Sequence, residues 1–228
     1  MDIFGFNALQ IGLPQIDALQ ANRMPRKWRS SLHAPAAVQL VGDTALAVVH
    51  DFTELPFASQ SLDLVVLPHV LEFAAEPHQV LREVERVLIP EGQLIVTGFN
   101  PTSLWGARQA TGRLSGAPYL PPDGEFISVP RLRDWLKLLS MEVDRGHFGC
   151  YAPACRTDKW LNRYAFFDRA GARWWPYFGA VYIVQAIKRV RGMRLIGPVW
   201  SKQTANAPQG VPATNRNVIN QEQTKQHG

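Results

Sequence analysis

The stretch from Asp51 to Pro101 restricts this chain to few folds. It opens with Asp51-Phe-Thr-Glu-Leu-Pro-Phe57 and continues as Ser61-Leu-Asp-Leu-Val-Val-Leu-Pro-His-Val-Leu-Glu72. Leu62 to Leu67 is almost continuously apolar, with Val65 beside Val66, which is the pattern of a strand buried on both faces. Pro77 to Leu88 follows as a helix. Pro at a first helical position gives up only an N–H that would have no partner there. Val80, Leu81, Val84, Val87 and Leu88 form one apolar stripe, with Arg82, Glu83, Glu85 and Arg86 on the other side. Pro90-Glu-Gly92 turns the chain, and Gln93-Leu-Ile-Val-Thr97 is a second buried strand. Strand, helix, turn and strand in that order build a parallel sheet, because parallel neighbours need a long crossover.

The flanking segments complete such a sheet. Asn7 to Gly12 reads as a first strand ending in the turn Gly12-Leu13-Pro14, and Gln15 to Asn22 as its crossover helix. Val38 to Val41 is the candidate second strand, closed by Gly42-Asp43, and Ala45 to His50 the third, closed by Asp51. Residues 100–126, rich in Pro and Gly, read as a long insertion rather than a core element. Pro130 to Leu139 is a second helix, with Leu132, Trp135, Leu136 and Leu139 at helical spacing. Ser140 to Val143 and Tyr182 to Ile187 supply late strands, separated by an irregular aromatic insertion over 148–178. Residues 1–200 are thus expected to form one domain. Residues 201–228, with scarcely an apolar anchor, are expected to be a disordered polar tail.

Taken together, these tokens resemble the class I methyltransferases of the type 11 family. The matching residues are Asp51 to Phe57, Ser61-x-Asp63-Leu-Val65, His69-x-Leu71-Glu72, Pro77-x-x-x-Leu81-x-Glu83-x-x-Arg86-Val-Leu88 and Glu91-Gly92-x-Leu94. The resemblance implies an α/β fold with a doubly wound, seven-stranded, mostly parallel sheet whose last strand is antiparallel. It implies S-adenosylmethionine as cofactor, bound where the strand order reverses. By that resemblance Gly12 sits at the turn beside the methionyl group, and Asp43 is the candidate carboxylate for the ribose. Asp51 and the backbone N–H of Phe52 face the adenine, and Pro68 and His69 line the reactive end. The family's Gly-x-Gly-x-Gly turn is reduced here to Gly12-Leu13-Pro14.

His69 is the candidate catalytic residue, since an imidazole titrates near neutral pH and can take a proton. Glu72 reads as a helix-start residue. No His or Cys cluster has metal-ligand spacing, so no metal is expected, and Cys150 and Cys155 read as ordinary reduced thiols.

Two functions from different classes follow. One is S-adenosylmethionine-dependent methyl transfer to an unidentified small-molecule acceptor. The other is a catalytically degenerate methyltransferase-like domain acting as a protein-interaction module, with the 148–178 segment and the basic run 188–194 as its surface. The formal charge is +5, concentrated at 23–29 and 188–194. These runs read as solvated basic faces, and without interleaved aromatics at 188–194 they do not point to nucleic acid. The longest apolar segment, Trp174 to Ile187, is too short to span a bilayer and is interrupted by Pro176, Gly179 and Gln185. With no signal peptide pattern at the N-terminus, a cytoplasmic protein is the expectation.

Overall fold

The computed structural model describes residues 3–32, 46–49, 51–114, 116, 124–152, 171, 173–175 and 177–190. The tail at 201–228 therefore lies outside the described residues, as do Cys155 and most of the 148–178 insertion. Seven strands form one sheet: β1 (Asn7–Ile11), β2 (Arg26–Ser31), β3 (Leu46–Val49), β4 (Leu62–Pro68), β5 (Leu88–Phe99), β6 (Met141–Gly149) and β7 (Val181–Lys188). Their order across the sheet is β3-β2-β1-β4-β5-β7-β6. β7 runs antiparallel to both β5 and β6, while the other pairings are parallel. Among the described residues three helices accompany the sheet: α1 (Pro77–Val87), α2 (Leu104–Leu114) and α3 (Val129–Leu138).

The central block forms as its periodicity predicts. Val80, Leu81, Val84 and Val87 of α1 are wholly buried against Leu9, Ile11, Val65, Leu67, Leu94 and Val96 on one face of the sheet. Each such side chain contributes on the order of 1.5–3 kcal/mol before conformational entropy is counted. Leu132 and Leu136 of α3 join the same cluster. On the other face Ala8, Leu64 and Val66 pack with Ile3, Leu19 and Met24. The turn at Pro90-Glu-Gly92 is absorbed into β5 as an irregularity, since Leu62 pairs with Leu88 but Leu64 pairs with Gln93. Glu91 takes φ +63° there, and a Cβ on Gly92 would stand 2.8 Å from the Ile89 carbonyl oxygen. Only glycine fits that position.

Three expectations are corrected. The second strand is Arg26–Ser31, inside the first basic run, rather than Val38–Val41, which lies outside the described residues. Residues 15–22 make turns, not a crossover helix. The 100–126 segment is not wholly an insertion, because α2 occupies its first half as part of the connection from β5 toward β6.

The first two corrections share a cause. A loop in place of a helix leaves its carbonyls without intrahelical donors, and buried carbonyls must find others. Here strand side chains supply them. Gln10 Nε2 donates to the carbonyl oxygens of Gly12, Leu13 and Ile16 at 3.3, 3.1 and 2.6 Å, and Gln10 Oε1 accepts the Ala18 N–H at 2.9 Å. Arg29, the register partner of Gln10 on β2, donates to the Pro14 carbonyl at 3.3 Å. Lys27 reaches the Leu19 carbonyl at 3.2 Å. Lys27 and Arg29 thus face a polar loop, and Arg29 is buried rather than solvated.

Candidate functional site

In the sheet, β2 lies on one side of β1 and β4 on the other, so strand order reverses between β1 and β4. Loops leaving the carboxyl ends of two such strands diverge and leave a crevice. A cleft of about 670 Å³ opens there, walled by the ends of β1, β2 and β4, the 51–54 turn and the start of α1. Its volume is that of an ordinary small-molecule site. Gly12, Asp51, Phe52, Pro68 and His69 all line it. Asp43 lies outside the described residues. β2 ends at Ser31, and Ser31 and Leu32 line the cleft at that strand end.

Gly12 has φ +77°, and a Cβ there would meet Val70 Cγ2 at 2.7 Å and Phe52 Cζ at 3.8 Å. The absent side chain lets the β1 turn close onto the β4 loop. Its N–H donates to the Ser30 carbonyl at 2.9 Å, so it extends the β1–β2 ladder. Leu13 also has positive φ, +42°.

Asp51 both lines the cleft and caps its own turn. Oδ1 accepts the Thr53 N–H at 3.0 Å, and the Asp51 carbonyl accepts from Glu54 N at 3.2 Å. The segment after it is fastened to α1. Arg86 donates to the carbonyls of Leu55 and Phe57, both at 2.9 Å, and pairs with Glu83 at 2.8 Å. Glu83 accepts the Leu55 N–H at 3.2 Å. The hydrogen bond from Arg86 outweighs burial and holds the Glu83 carboxyl below the usual carboxylate range, with the Leu55 N–H adding to the effect.

At the end of β4, His69 adopts φ +53° and donates its N–H to the Thr97 carbonyl at 3.1 Å. Its ring lies 4.4 Å from that of Phe99, and Nδ1 stands 2.9 Å from Glu72 Oε2. The Glu72 side chain is 1% exposed, against 21% for His69. Its second oxygen accepts the Phe99 N–H. Glu72 is therefore not a helix-start residue but a buried brace between the ends of β4 and β5. The His-x-x-Glu spacing was visible in the sequence; its burial was not. Burial pushes the Tyr182 phenol well above its ordinary value, with the Glu72 charge adding to the effect.

Farther along the same edge, the Asn100 side chain ties the end of β5 to the carbonyls of Tyr177 and Gly179 at 2.8 and 3.0 Å and accepts from Thr102. Beyond it Leu104, Tyr151, Gly171, Trp175 and Phe178 frame an apolar recess of about 350 Å³. Among the described residues no group of three His, Cys, Asp or Glu side chains is placed to hold a metal ion. No described helix is long and apolar enough to cross a membrane.

A seven-stranded sheet in this order, with β7 alone reversed and a cleft at the β1–β4 switch, defines the class I methyltransferase fold. Residues 28–96 match the family model of the type 11 methyltransferases, described as a methyltransferase domain. It is 33% identical over 168 residues, 73% of this chain, to an uncharacterized Escherichia coli protein, YafS. It is 28% identical over 137 residues, 58% of this chain, to a malonyl-[acyl-carrier protein] O-methyltransferase of Laribacter hongkongensis. The chain spans 65% and 45% of the lengths of those two relatives. A crystal structure of an S-adenosylmethionine-dependent methyltransferase from Thermotoga maritima superposes with a TM-score of 0.58 at 13% identity, covering 80% of this chain and 82% of the other.

Proposed function

We propose that this protein is an S-adenosylmethionine-dependent methyltransferase acting on a small-molecule acceptor. The observation that carries the reading is the convergence of Gly12, Asp51, Phe52, Pro68 and His69 on one cleft at the strand-order switch. The cleft suits the cofactor's charge. Asp51, Glu54 and Glu76 line it and no Lys or Arg does among the described residues, which favours a ligand carrying a sulfonium and an ammonium. Asp51 and the backbone at Phe52 would hold the adenine end, Ser31 and Leu32 would lie along the ribose, and Gly12 would admit the methionyl end. When bound, the cofactor supplies an electrophilic methyl group. The protein's part is to hold the acceptor in line with it and to keep water out.

The apolar recess near Leu104 and Phe178, on the same sheet edge, supports a small acceptor with apolar or aromatic bulk. Nothing in the cleft favours a purely structural interaction module, because its mouth beside Asp51 is open. Isothermal titration of the full chain with S-adenosylmethionine and with S-adenosylhomocysteine tests the reading. Micromolar binding is expected, and no heat at millimolar ligand overturns it.

A further inference from the structure

Of the polar groups at this edge, the pair formed by His69 and Glu72 has an arrangement that the fold itself does not require. Glu72 is a carboxylate with a side chain 1% exposed, and burying such a charge is unfavourable unless it is paired and hydrogen-bonded. One oxygen could cap the Phe99 N–H from either Glu or Gln. The other oxygen is spent on His69 Nδ1 at 2.9 Å. A carboxylate accepts and cannot donate, so Nδ1 must carry the hydrogen. That fixes the neutral ring as the tautomer whose Nε2 holds a lone pair. Nε2 makes no hydrogen bond among the described residues, and it lies across the ring from Glu72, on the side chain that lines the cleft. The Phe99 ring, tilted by 37° at 4.4 Å, packs against the imidazole and limits its swing.

We propose that His69 Nε2 takes the proton of the methyl acceptor, that Glu72 is the positioning residue that makes it able to, and that the acceptor is therefore a phenolic or enolic hydroxyl. The inference rests on the methyltransferase reading. An aryl amine attacks through a lone pair it already has, an alkyl ammonium ion presents one only after solvent has taken its proton, and a thiol near pKa ~8.5 ionises readily by itself. A phenol, with pKa ~10, is a poor nucleophile until its proton leaves, and imidazole is a matched base for it. In the step, the acceptor oxygen gives its proton to Nε2 and its electron pair to the new O–CH3 bond, while the pair of the broken methyl–sulfur bond stays on sulfur. The imidazolium formed is stabilised by the Glu72 carboxylate already beside it. Among the described residues the charged groups about the ring are Glu72 and, across the cleft, Asp51, Glu54 and Glu76; Tyr182 on β7 feels the Glu72 charge.

Two measurements on the full chain test this. The first needs no ligand: proton–nitrogen correlation spectra of the imidazole rings under alkaline conditions, with His69 assigned through His69→Gln. The expected signature is a single tautomer, protonated at Nδ1, that becomes a mixture in Glu72→Gln; protonation at Nε2 in the unaltered protein overturns the proposal. The second is transfer of labelled methyl from S-adenosylmethionine to catechol and 4-hydroxybenzoate against aniline and thiophenol. Label is expected on phenolic oxygen, falling at least ~100-fold in His69→Gln and ~10-fold in Glu72→Gln, with cofactor affinity by calorimetry within about twofold in Glu72→Gln. Preferential labelling of the amine or thiol, or no labelled phenol while the cofactor binds, overturns it. Failure of the cofactor to bind would sink the methyltransferase reading instead, and the tautomer result would still decide the role of Glu72.

Discussion

The side-chain amide of Gln10 stands 2.6 Å from the carbonyl oxygen of Ile16, six residues along the chain, from a position with no solvent exposure. With its other contacts it does for residues 12–18 what helical hydrogen bonds would do in a regular crossover. Gln10→Ala should therefore cost about 1–3 kcal/mol in urea unfolding, since one buried and three part-buried backbone groups lose their partner at once. Because those groups belong to the cleft wall at Gly12 and Leu13, cofactor affinity should fall too. A loss below ~0.5 kcal/mol would mean that water or relaxation replaces the clamp.

Asp51 should matter for binding more than for folding. Asp51→Asn can keep the Thr53 cap while losing the charge that the adenosyl end would meet. Binding of S-adenosylhomocysteine should weaken about tenfold, with unfolding free energy changed by less than ~1 kcal/mol. Unchanged affinity by calorimetry would leave Asp51 as a turn residue only.

The Glu83–Arg86 pair gives the acid limb of stability a specific source. The Glu83 carboxyl is held below its ordinary range, chiefly by the Arg86 hydrogen bond. Such a group stabilises the fold fully above the unfolded carboxylate pKa of about 4.3, and the contribution is lost as pH falls through the lower folded value. Glu83→Gln should flatten the fall in thermal midpoint below pH ~4.5 relative to the unaltered protein. An acid limb of the same steepness in the variant would remove Glu83 as its source.

Much of the fold was legible because its strongest signals are local. The continuous apolar run of β4 and the single stripe of α1 hold whatever surrounds them, and Gly12, Asp51, Phe52, Pro68 and His69 could be placed because they sit at strand ends. β2 was not legible in the same way. Arg26-Lys27-Trp28-Arg29 looks like a solvated basic run until the loop carbonyls at Pro14 and Leu19 are known to lie over it. α2 was hidden by Gly106 and Gly112, poor helix formers. Gly106 is there because a Cβ would meet the Pro101 carbonyl oxygen at 2.2 Å. Glu72 required the most structure, since its partner Phe99 is far away in sequence.

Tyr182 sets the alkaline limb. Its phenol is pushed well above the ordinary tyrosine value, mainly by burial. In the unfolded chain it ionises near pH 10, so the stability it confers is complete below that pH and declines as pH rises further. Tyr182→Phe should reduce the loss of stability above pH ~10, and an ultraviolet titration of the folded protein should show one fewer tyrosine ionising by pH ~11 in the unaltered chain. Full ionisation of every tyrosine by that pH would contradict the burial.

The loop that replaces the first crossover helix also decides what the cleft will refuse. A helix starting directly after β1 would aim a partial positive charge and several N–H groups at the ligand, the arrangement by which related sheets hold pyrophosphates. Here that place is taken by carbonyls already claimed by Gln10 and Arg29, and by an N–H at Gly12 given to Ser30. Among the described residues, the charged side chains that line the cleft itself are Asp51, Glu54 and Glu76. A nucleotide bearing phosphates would meet repulsion with little to offset it, whereas a positively charged adenosyl compound would not. Discrimination between the two is thus built into the backbone path of residues 12–18, before any contact with the base is made.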